Sequence, residues 1–283
     1  MGNIEDIAVV HLVRACNGLQ PFLNFLDSYR QFPGGIGHNF VVIFKGFEEA
    51  SELEPYREHL TPFHHTEILI PDIGYDLHAY AIAVRKLNNP YVCFLNSFSV
   101  LLDYSWLAKL ATAINRDRIG LAGGTGSYES MYSNQFVDRL DSKAGSLTSR
   151  LRTALRSKLN RLIFNPFPNV HIRTNGFMIS SRLMCEISPR HVLTKQHAYQ
   201  FENGKSSLTN KVLAMSLRPV VVGRDGVPYE KEDWPKSFTF RQQKQENLLI
   251  GDNQTRQYVN ADFKTRRYLS QLAWGDQADT GPA

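Results

Sequence analysis

Cysteine is scarce in this sequence. Cys16, Cys93 and Cys185 lie far apart and match no metal-ligand spacing, and Cys93 sits inside an apolar run. Such usage argues against a disulfide framework and for reduced, structural thiols in a cytoplasmic protein. Long apolar runs are missing too, since none approaches the roughly 20 residues that span a bilayer. The opening residues, MGNIEDIAVVHLVR, are acidic and enter a strand directly, so they read as no signal peptide. There are no internal repeats, and no linker separates two domains. What remains is an ordinary globular composition, 42% hydrophobic and 21% charged, with 283 residues to build a full core.

Acidic residues are also missing locally. None occurs between Asp141 and Glu186, a window that holds eight Lys and Arg residues; the rest of the chain carries 24 basic against 27 acidic. The net charge of +5 is therefore a local patch, which suggests an anionic partner there rather than general coating of nucleic acid. Leu147, Leu151, Leu155, Leu159 and Leu162 form one stripe at helical spacing, with Arg150 and Arg161 on one flank and Arg152 and Arg156 on the other. Residues 140–162 thus read as a basic helix. It either lies on anionic lipid through 147–162 or packs its leucines into its own protein. The window shows no nucleic-acid motif and little aromatic interleaving, so no nucleic-acid partner is expected.

Hydrophobic periodicity alternates along the first half. Strands are expected at Ile7–Val13, Asn39–Phe44, Glu67–Ile70, Tyr91–Leu95 and from Ile119. Helices are expected at Leu19–Tyr29, Glu48–Leu60, Tyr75–Leu87 and Ser105–Ile114. This β-α-β-α order predicts an α/β fold with a doubly wound, mostly parallel sheet and ligands beyond the strands' C-terminal ends. Later, His171–Ile179 reads as a strand, Ser206–Met215 as a helix and Pro219–Val222 as a strand. The stretch from Tyr229 has little strong periodicity, and the residues after Gly275 read as a disordered tail.

Chemistry is expected where strands end. Asn96-Ser97-Phe98-Ser99 closes the fourth strand, either as a plain strand-to-helix turn capped by Ser99 or Asp103 or as part of a site. Divalent cations of the Mg²⁺ type want carboxylates; Asn96 offers one neutral oxygen and Phe98 none, so a tightly held metal is not expected. Gly123 to Ser130 could let backbone approach a phosphate, or form a flexible loop that presents Thr125, Ser127, Tyr128 and Glu129 as polar contacts. Asp72-Ile-Gly74-Tyr-Asp76 reads by itself as a helix N-terminus. Glu202 is read at a helix entrance, as a capping acid or a base.

The strand order, YVCFLN (91–96), TNGFMISSRLM (174–184) and FENGKSSLTNKVLAMSLRPVVVG (201–223) together resemble GT-A-fold glycosyltransferases. The resemblance is to the inverting family 2 and its bacterial surface-polysaccharide relatives, over roughly residues 5–225. It implies a GT-A-like domain at 1–225, with a nucleotide-sugar half at 1–130 and an acceptor half at 131–225. A helical or irregular C-terminal extension would occupy 226–283. It places the nucleotide base against residues 11–17, including His11, Val13 and Arg14, the nucleotide also against Asp72 and Gly74, and the diphosphate at the end of the fourth strand. The family's metal-binding Asp-x-Asp falls on Asn96-Ser97-Phe98, its acceptor platform on Arg173-Thr-Asn175, and its catalytic Glu-Asp pair on Glu202-Asn203. The resemblance thus implies Glu202 as the base, with Asn96 and Ser97 on the donor and Asn175 on the acceptor. Without a metal, Arg173 leads the candidates to clamp the departing diphosphate, followed by Lys205, Lys195 and His197.

These readings converge on an inverting, metal-independent glycosyltransferase in bacterial surface polysaccharide synthesis. It would use a nucleotide-sugar co-substrate, a glycan or lipid-linked acceptor and no tightly bound cofactor, and would be cytoplasmic, at the inner face of the cell membrane. The competing reading is a GT-A-like domain without catalysis that binds glycan or a partner transferase, resting on the missing Asp-x-Asp and on Asn203. Nucleotidyl transfer ranks last, because no glycine-rich loop with a lysine precedes the first helix.

Overall fold

A computed structural model describes residues 7–132, 158, 160–188 and 192–281. Its eight-stranded sheet is mixed and mostly parallel, as expected. In chain order the strands of the first half are β1 (Ile7–Arg14), β2 (Asn39–Lys45), β3 (His65–Ile70), β4 (Tyr91–Leu95), the short β5 (Val100–Leu101), β6 (Ile119–Gly123) and the short β7 (Gly126–Ser127). They are followed by β8 (His171–Ile172), β9 (Gly176–Ser180), β10 (Arg218–Val222), β11 (Pro228–Tyr229) and β12 (Ile250–Gly251). The main sheet runs β11-β10-β6-β9-β4-β1-β2-β3. Pairing is parallel from β3 through β4 and between β6 and β10, whereas β9 lies antiparallel between β4 and β6.

Alternation along the strands divides the core between two faces. Ile7, Val9 and Val13 of β1 and Phe40, Val42 and Phe44 of β2 pack under α1 (Gln20–Gln31), α2 (Glu54–Leu60) and α4 (Trp106–Ile114). The opposite residues, Ala8, Val10, Leu12, Val41 and Ile43, face α3 (Asp76–Lys86), α5 (Ser181–Ile187), α6 (Lys195–Asn203) and α7 (Leu208–Ala214). Arg14 and Lys45 continue this second parity at the strand ends and are register partners, so the crevice beside α3 receives two adjacent cations.

Three expectations change. The strand expected at His171–Ile179 breaks into β8 and β9, because Arg173, Thr174 and Asn175 turn their polar groups into hydrogen bonds with Thr125, Asp252 and Glu202. The weakly periodic C-terminal stretch forms α8 (Asn253–Asn260) and α9 (Phe263–Trp274), and its Trp234, Tyr258 and Trp274 are fully buried. Residues 276–281, expected as a disordered tail, are tied down: the Gln277 carbonyl accepts from Gln242 Nε2 at 2.8 Å, and Gln243 N donates to the Asp279 carbonyl at 2.7 Å. Of the basic stripe, only Leu162 lies among the described residues, where it is exposed; Leu147, Leu151, Leu155 and Leu159 fall outside them.

His11 belongs to the core rather than to the crevice. Its ring stacks on Phe25 at 3.7 Å, neither ring nitrogen has a hydrogen-bond partner, and burial lowers its pKa to about 3. The alternation of β1 dictates this, since His11 shares the face of Val9 and Val13. With the folded pKa below the unfolded value near 6.5, the unfolded chain takes up the proton first. Stability is therefore full above about pH 6.5 and falls toward pH 3. At pH 5 the loss from this group is about 2 kcal/mol, from 1.36 kcal/mol per pKa unit. Urea unfolding at pH 7.5 and pH 5.0 is expected to show His11→Leu losing less stability than wild type by about that amount; equal losses would remove His11 as the cause.

Candidate functional site

Four parallel strands, β3-β2-β1-β4, deliver their C-terminal ends to one edge of the sheet, where open α/β sheets bind ligands. Arg14 ends β1, Lys45 ends β2, Asp72 follows β3, Asp76 opens α3 and Asn96 follows β4. The loop from β3 to α3 is pinned at both ends by glycines with left-handed backbone. Gly46 (φ +78°) leaves room for Asp72, whose Cβ would lie 2.9 Å from an added methyl. Gly74 (φ +70°) lies against the Val192 carbonyl, 2.6 Å from where a Cβ would stand.

The resulting charge cluster is tight. Arg14 reaches Asp72 at 3.4 Å and Asp76 at 3.8 Å, and the Lys45 ammonium, with no exposed side-chain surface, donates to Asp72. Lys45 followed by Arg14 holds the Asp72 carboxyl below its usual range, against some desolvation. Partial desolvation in the crevice pushes Asp76 up; Arg14 opposes the rise and Glu202 adds to it, which brings Glu202 into the same electrostatic neighbourhood. Tyr80 follows Asp76 by one turn, its ring stacked on Phe94 at 4.4 Å and its hydroxyl buried with no hydrogen-bond partner among the described residues. Desolvation, then Asp76 and Glu202 among its neighbours, push that phenol well up.

Glu202 sits at the other end of the crevice, in the last turn of α6 rather than at a helix entrance. The helix therefore supplies no capping role, and its macrodipole is unfavourable to a carboxylate at this end. Instead the Thr174 backbone N–H and hydroxyl donate to Glu202 Oε1 at 3.2 and 3.1 Å, leaving Oε2 for another group. Asn169 knits this end together: its amide donates to the carbonyls of Asn203 (2.7 Å) and Glu129 (3.3 Å), and its carbonyl accepts from His171 Nδ1 (2.8 Å). Burial lowers the His171 pKa, opposed by that hydrogen bond and by Glu202 and Glu129.

Other residues expected at the site are committed elsewhere. Arg173 is buried, donates to Asp252 at 2.7 Å and to Thr125 Oγ1 at 3.3 Å, and lies over the Phe240 ring at 4.1 Å. Its fork is occupied within the protein by Asp252 and Thr125, where the sequence reading has it free to clamp a diphosphate. Val13 is core. Thr125 donates to Asn175 Oδ1 at 2.7 Å, and Tyr128 to the Lys231 carbonyl; Ser127 Oγ accepts from the Glu129 N–H at 3.0 Å. Glu129 accepts from Arg241 at 3.0 Å and keeps a partly exposed side chain. Lys205 is exposed, and its ammonium bonds the Arg161 carbonyl. Asn96 closes a turn, its Oδ1 accepting from Phe98 N (3.0 Å) and Ser99 Oγ (3.1 Å), while the Ser97 hydroxyl is buried and unpartnered. The sequence reading overlooked Lys45 and Asp76. A lysine ending the apolar run NFVVIFK reads as an ordinary solvated strand end, and only the register with Arg14 marks it.

No family model matches the sequence, and no curated protein matches it. Among solved structures the chain is similar to mannosyltransferase PcManGT from Pyrobaculum calidifontis in complex with GDP-Man and Mn²⁺, at 12% identity and TM-score 0.46, over 83% of this chain and 60% of that one. It is similar to glucosyl-3-phosphoglycerate synthase from Mycobacterium tuberculosis in complex with Mn²⁺, UDP and phosphoglyceric acid, at 15% identity and TM-score 0.35, over 62% and 56%. TarS 1–349 from S. aureus is also similar, at 13% identity and TM-score 0.43, over 70% and 53%. The chain thus spans 53% to 60% of the length of these structures.

The first two structures correct one expectation. Both are complexes with Mn²⁺ and a nucleotide or nucleotide-sugar, a finding against the expectation that a divalent metal plays no part. The residues at the β4 end nevertheless do not form a ligand set: the Asn96 oxygen is occupied, Phe98 has none, and among the described residues no three His, Cys, Asp or Glu side chains gather. Among the described residues no helix is long and apolar enough to cross a membrane.

Proposed function

We propose that this chain is a nucleotide-sugar-dependent glycosyltransferase whose donor lies across the strand-end crevice. The observation that carries this reading is the Arg14–Lys45 cation pair at the strand ends, with Asp76 3.8 Å from Arg14 at the start of α3, which packs against the helix α6 that carries Glu202. Inverting sugar transfer needs those two parts: positive charge where a diphosphate departs, and a carboxylate that takes the proton of the attacking hydroxyl. In this reading Glu202 Oε2 accepts the acceptor's proton as its oxygen bonds the anomeric carbon, and the bond to the nucleoside diphosphate breaks on the opposite side. Thr174 fixes the carboxylate, and Arg14 with Lys45 stabilises the leaving group. A glycan or lipid-linked acceptor in bacterial surface polysaccharide synthesis fits the resemblance noted in the sequence. The basic stripe at 147–162 would then meet anionic lipid.

Thermal unfolding of the purified chain in the presence of UDP, GDP and dTDP and of their common sugar conjugates tests the donor reading. Mn²⁺, Mg²⁺ and EDTA arms are run side by side. Stabilisation by at least one nucleoside diphosphate is expected, since ligand at 100 times Kd adds about 2.7 kcal/mol. No shift with any nucleotide in any arm would contradict it.

A further inference from the structure

The strand ends of β1 and β2 carry a feature that the donor reading does not require. Arg14 and Lys45 stand side by side in register on the same face, and both pair with Asp72, while Arg14 also lies 3.8 Å from Asp76. The three differ sharply in their setting. Lys45 has no exposed side-chain surface, and among the described residues its ammonium has Asp72 as its hydrogen-bond partner. Arg14 keeps 22% of its side chain exposed, and its Nε is buried without a partner. Asp72 is 54% exposed, on a loop that continues into Gly74. An ammonium has three donors and a guanidinium five, so Asp72 and Asp76 together still leave part of this donor set unused. The cations are the more buried members, and the most exposed member is the anion.

We propose that Asp72 is a resident counter-ion occupying an anion site built by Arg14 and Lys45, and that the diphosphate of a nucleoside diphosphate displaces it on binding. A diphosphate offers more oxygens than a carboxylate and can bond both cations at once, Arg14 through its fork and Lys45 as a point charge. Asp72 holds the buried ammonium paired while the site is empty and lowers the affinity for the incoming anion, because the two compete for the same donors. The displaced carboxylate turns to solvent, where it is already half exposed. Asp76, 3.8 Å from Arg14, keeps that guanidinium oriented throughout the exchange. This assignment rests on the donor reading of the crevice and adds to it the residues that hold the leaving group and the group that restrains their affinity.

Calorimetric titration of the full chain with inorganic pyrophosphate, UDP and GDP, all in EDTA, tests the exchange. Arg14→Gln and Lys45→Met are each expected to weaken pyrophosphate binding about tenfold or more, the scale of a lost charge-assisted hydrogen bond. Asp72→Asn, which still accepts from Lys45 but carries no charge, is expected to tighten it several-fold. Lys45→Met removes a buried group, so circular dichroism accompanies it, and the partly exposed Arg14→Gln serves as the variant that keeps the fold. Unchanged pyrophosphate affinity in folded Arg14→Gln, or unchanged or weaker affinity in Asp72→Asn, overturns the proposal. The donor reading fails separately: pyrophosphate bound with these mutational effects, but neither UDP nor GDP bound, upholds the anion site and removes the nucleotide.

Discussion

Replacing Asp252 by alanine is expected to destabilise the protein by about 4 kcal/mol, from the 3–5 kcal/mol typical of an unpartnered buried charge. Asp252 is 1% exposed, and its Oδ2 lies 2.7 Å from the Nη2 of Arg173, itself 6% exposed. Burial alone would raise the Asp252 carboxyl; Arg173 and the bonds from Thr255 overcome that and hold it below its usual range. The same carboxylate caps α8, with Oδ1 accepting from Thr255 N at 2.8 Å, so alanine also removes an N-cap worth about 1 kcal/mol. What remains would be a guanidinium over the Phe240 ring with Thr125 as its one other hydrogen-bond partner. The double variant Arg173→Met, Asp252→Leu should recover much of the loss, since an apolar pair leaves no charge unpaired. Urea unfolding reads both. An exposed pair such as Lys236–Asp233 (2.7 Å) provides the comparison, with an expected effect within about 0.5 kcal/mol. A loss from Asp252→Ala no larger than from that pair would show that water reaches Arg173.

The result matters for function because Arg173 is the residue the sequence offers first as a phosphate clamp. An Arg at a strand start beside an acceptor-like motif has the right chemistry, but sequence does not show that Asp252, 79 positions away, meets it. The strand pattern was legible because apolar runs such as Tyr91–Leu95 are buried on both faces and bounded by polar turns. The C-terminal helices were not, since α8 and α9 are rich in Gln, Asn and Arg and bury only a few residues each. Near the strand ends, the places of Arg14, Asp72 and Asn96 were legible from the strand pattern, whereas Glu202, expected at a helix entrance, lies in the last turn of α6. His11 misleads because a histidine in a nucleotide-facing position and one stacked on Phe25 have the same sequence neighbours. Lys45 acquires meaning only through register, which pairs it with Arg14 across two strands 31 positions apart, and Asp76 through its ion pair with Arg14.

Glu202→Gln carries the second large effect. The amide keeps the size of the side chain and can still accept from Thr174 through its oxygen, but it has no carboxylate to take a proton. General-base loss of this kind costs about 10²- to 10⁴-fold in rate. Donor binding, assigned to the other end of the crevice, should stay within about twofold, a difference of roughly 0.4 kcal/mol. A drop in both together would instead point to a structural part for Glu202, since its Oε1 anchors the turn at Thr174.

The measurement closest to the central claim is therefore the release of nucleoside diphosphate from a panel of nucleotide-sugars, by wild type and Glu202→Gln, at matched donor occupancy and with Mn²⁺ supplied in a parallel arm. The account predicts turnover of at least one donor by wild type, and loss of about 10² or more in Glu202→Gln with the donor still bound. Turnover that survives Glu202→Gln undiminished, or none by wild type with any donor in any arm, would contradict it.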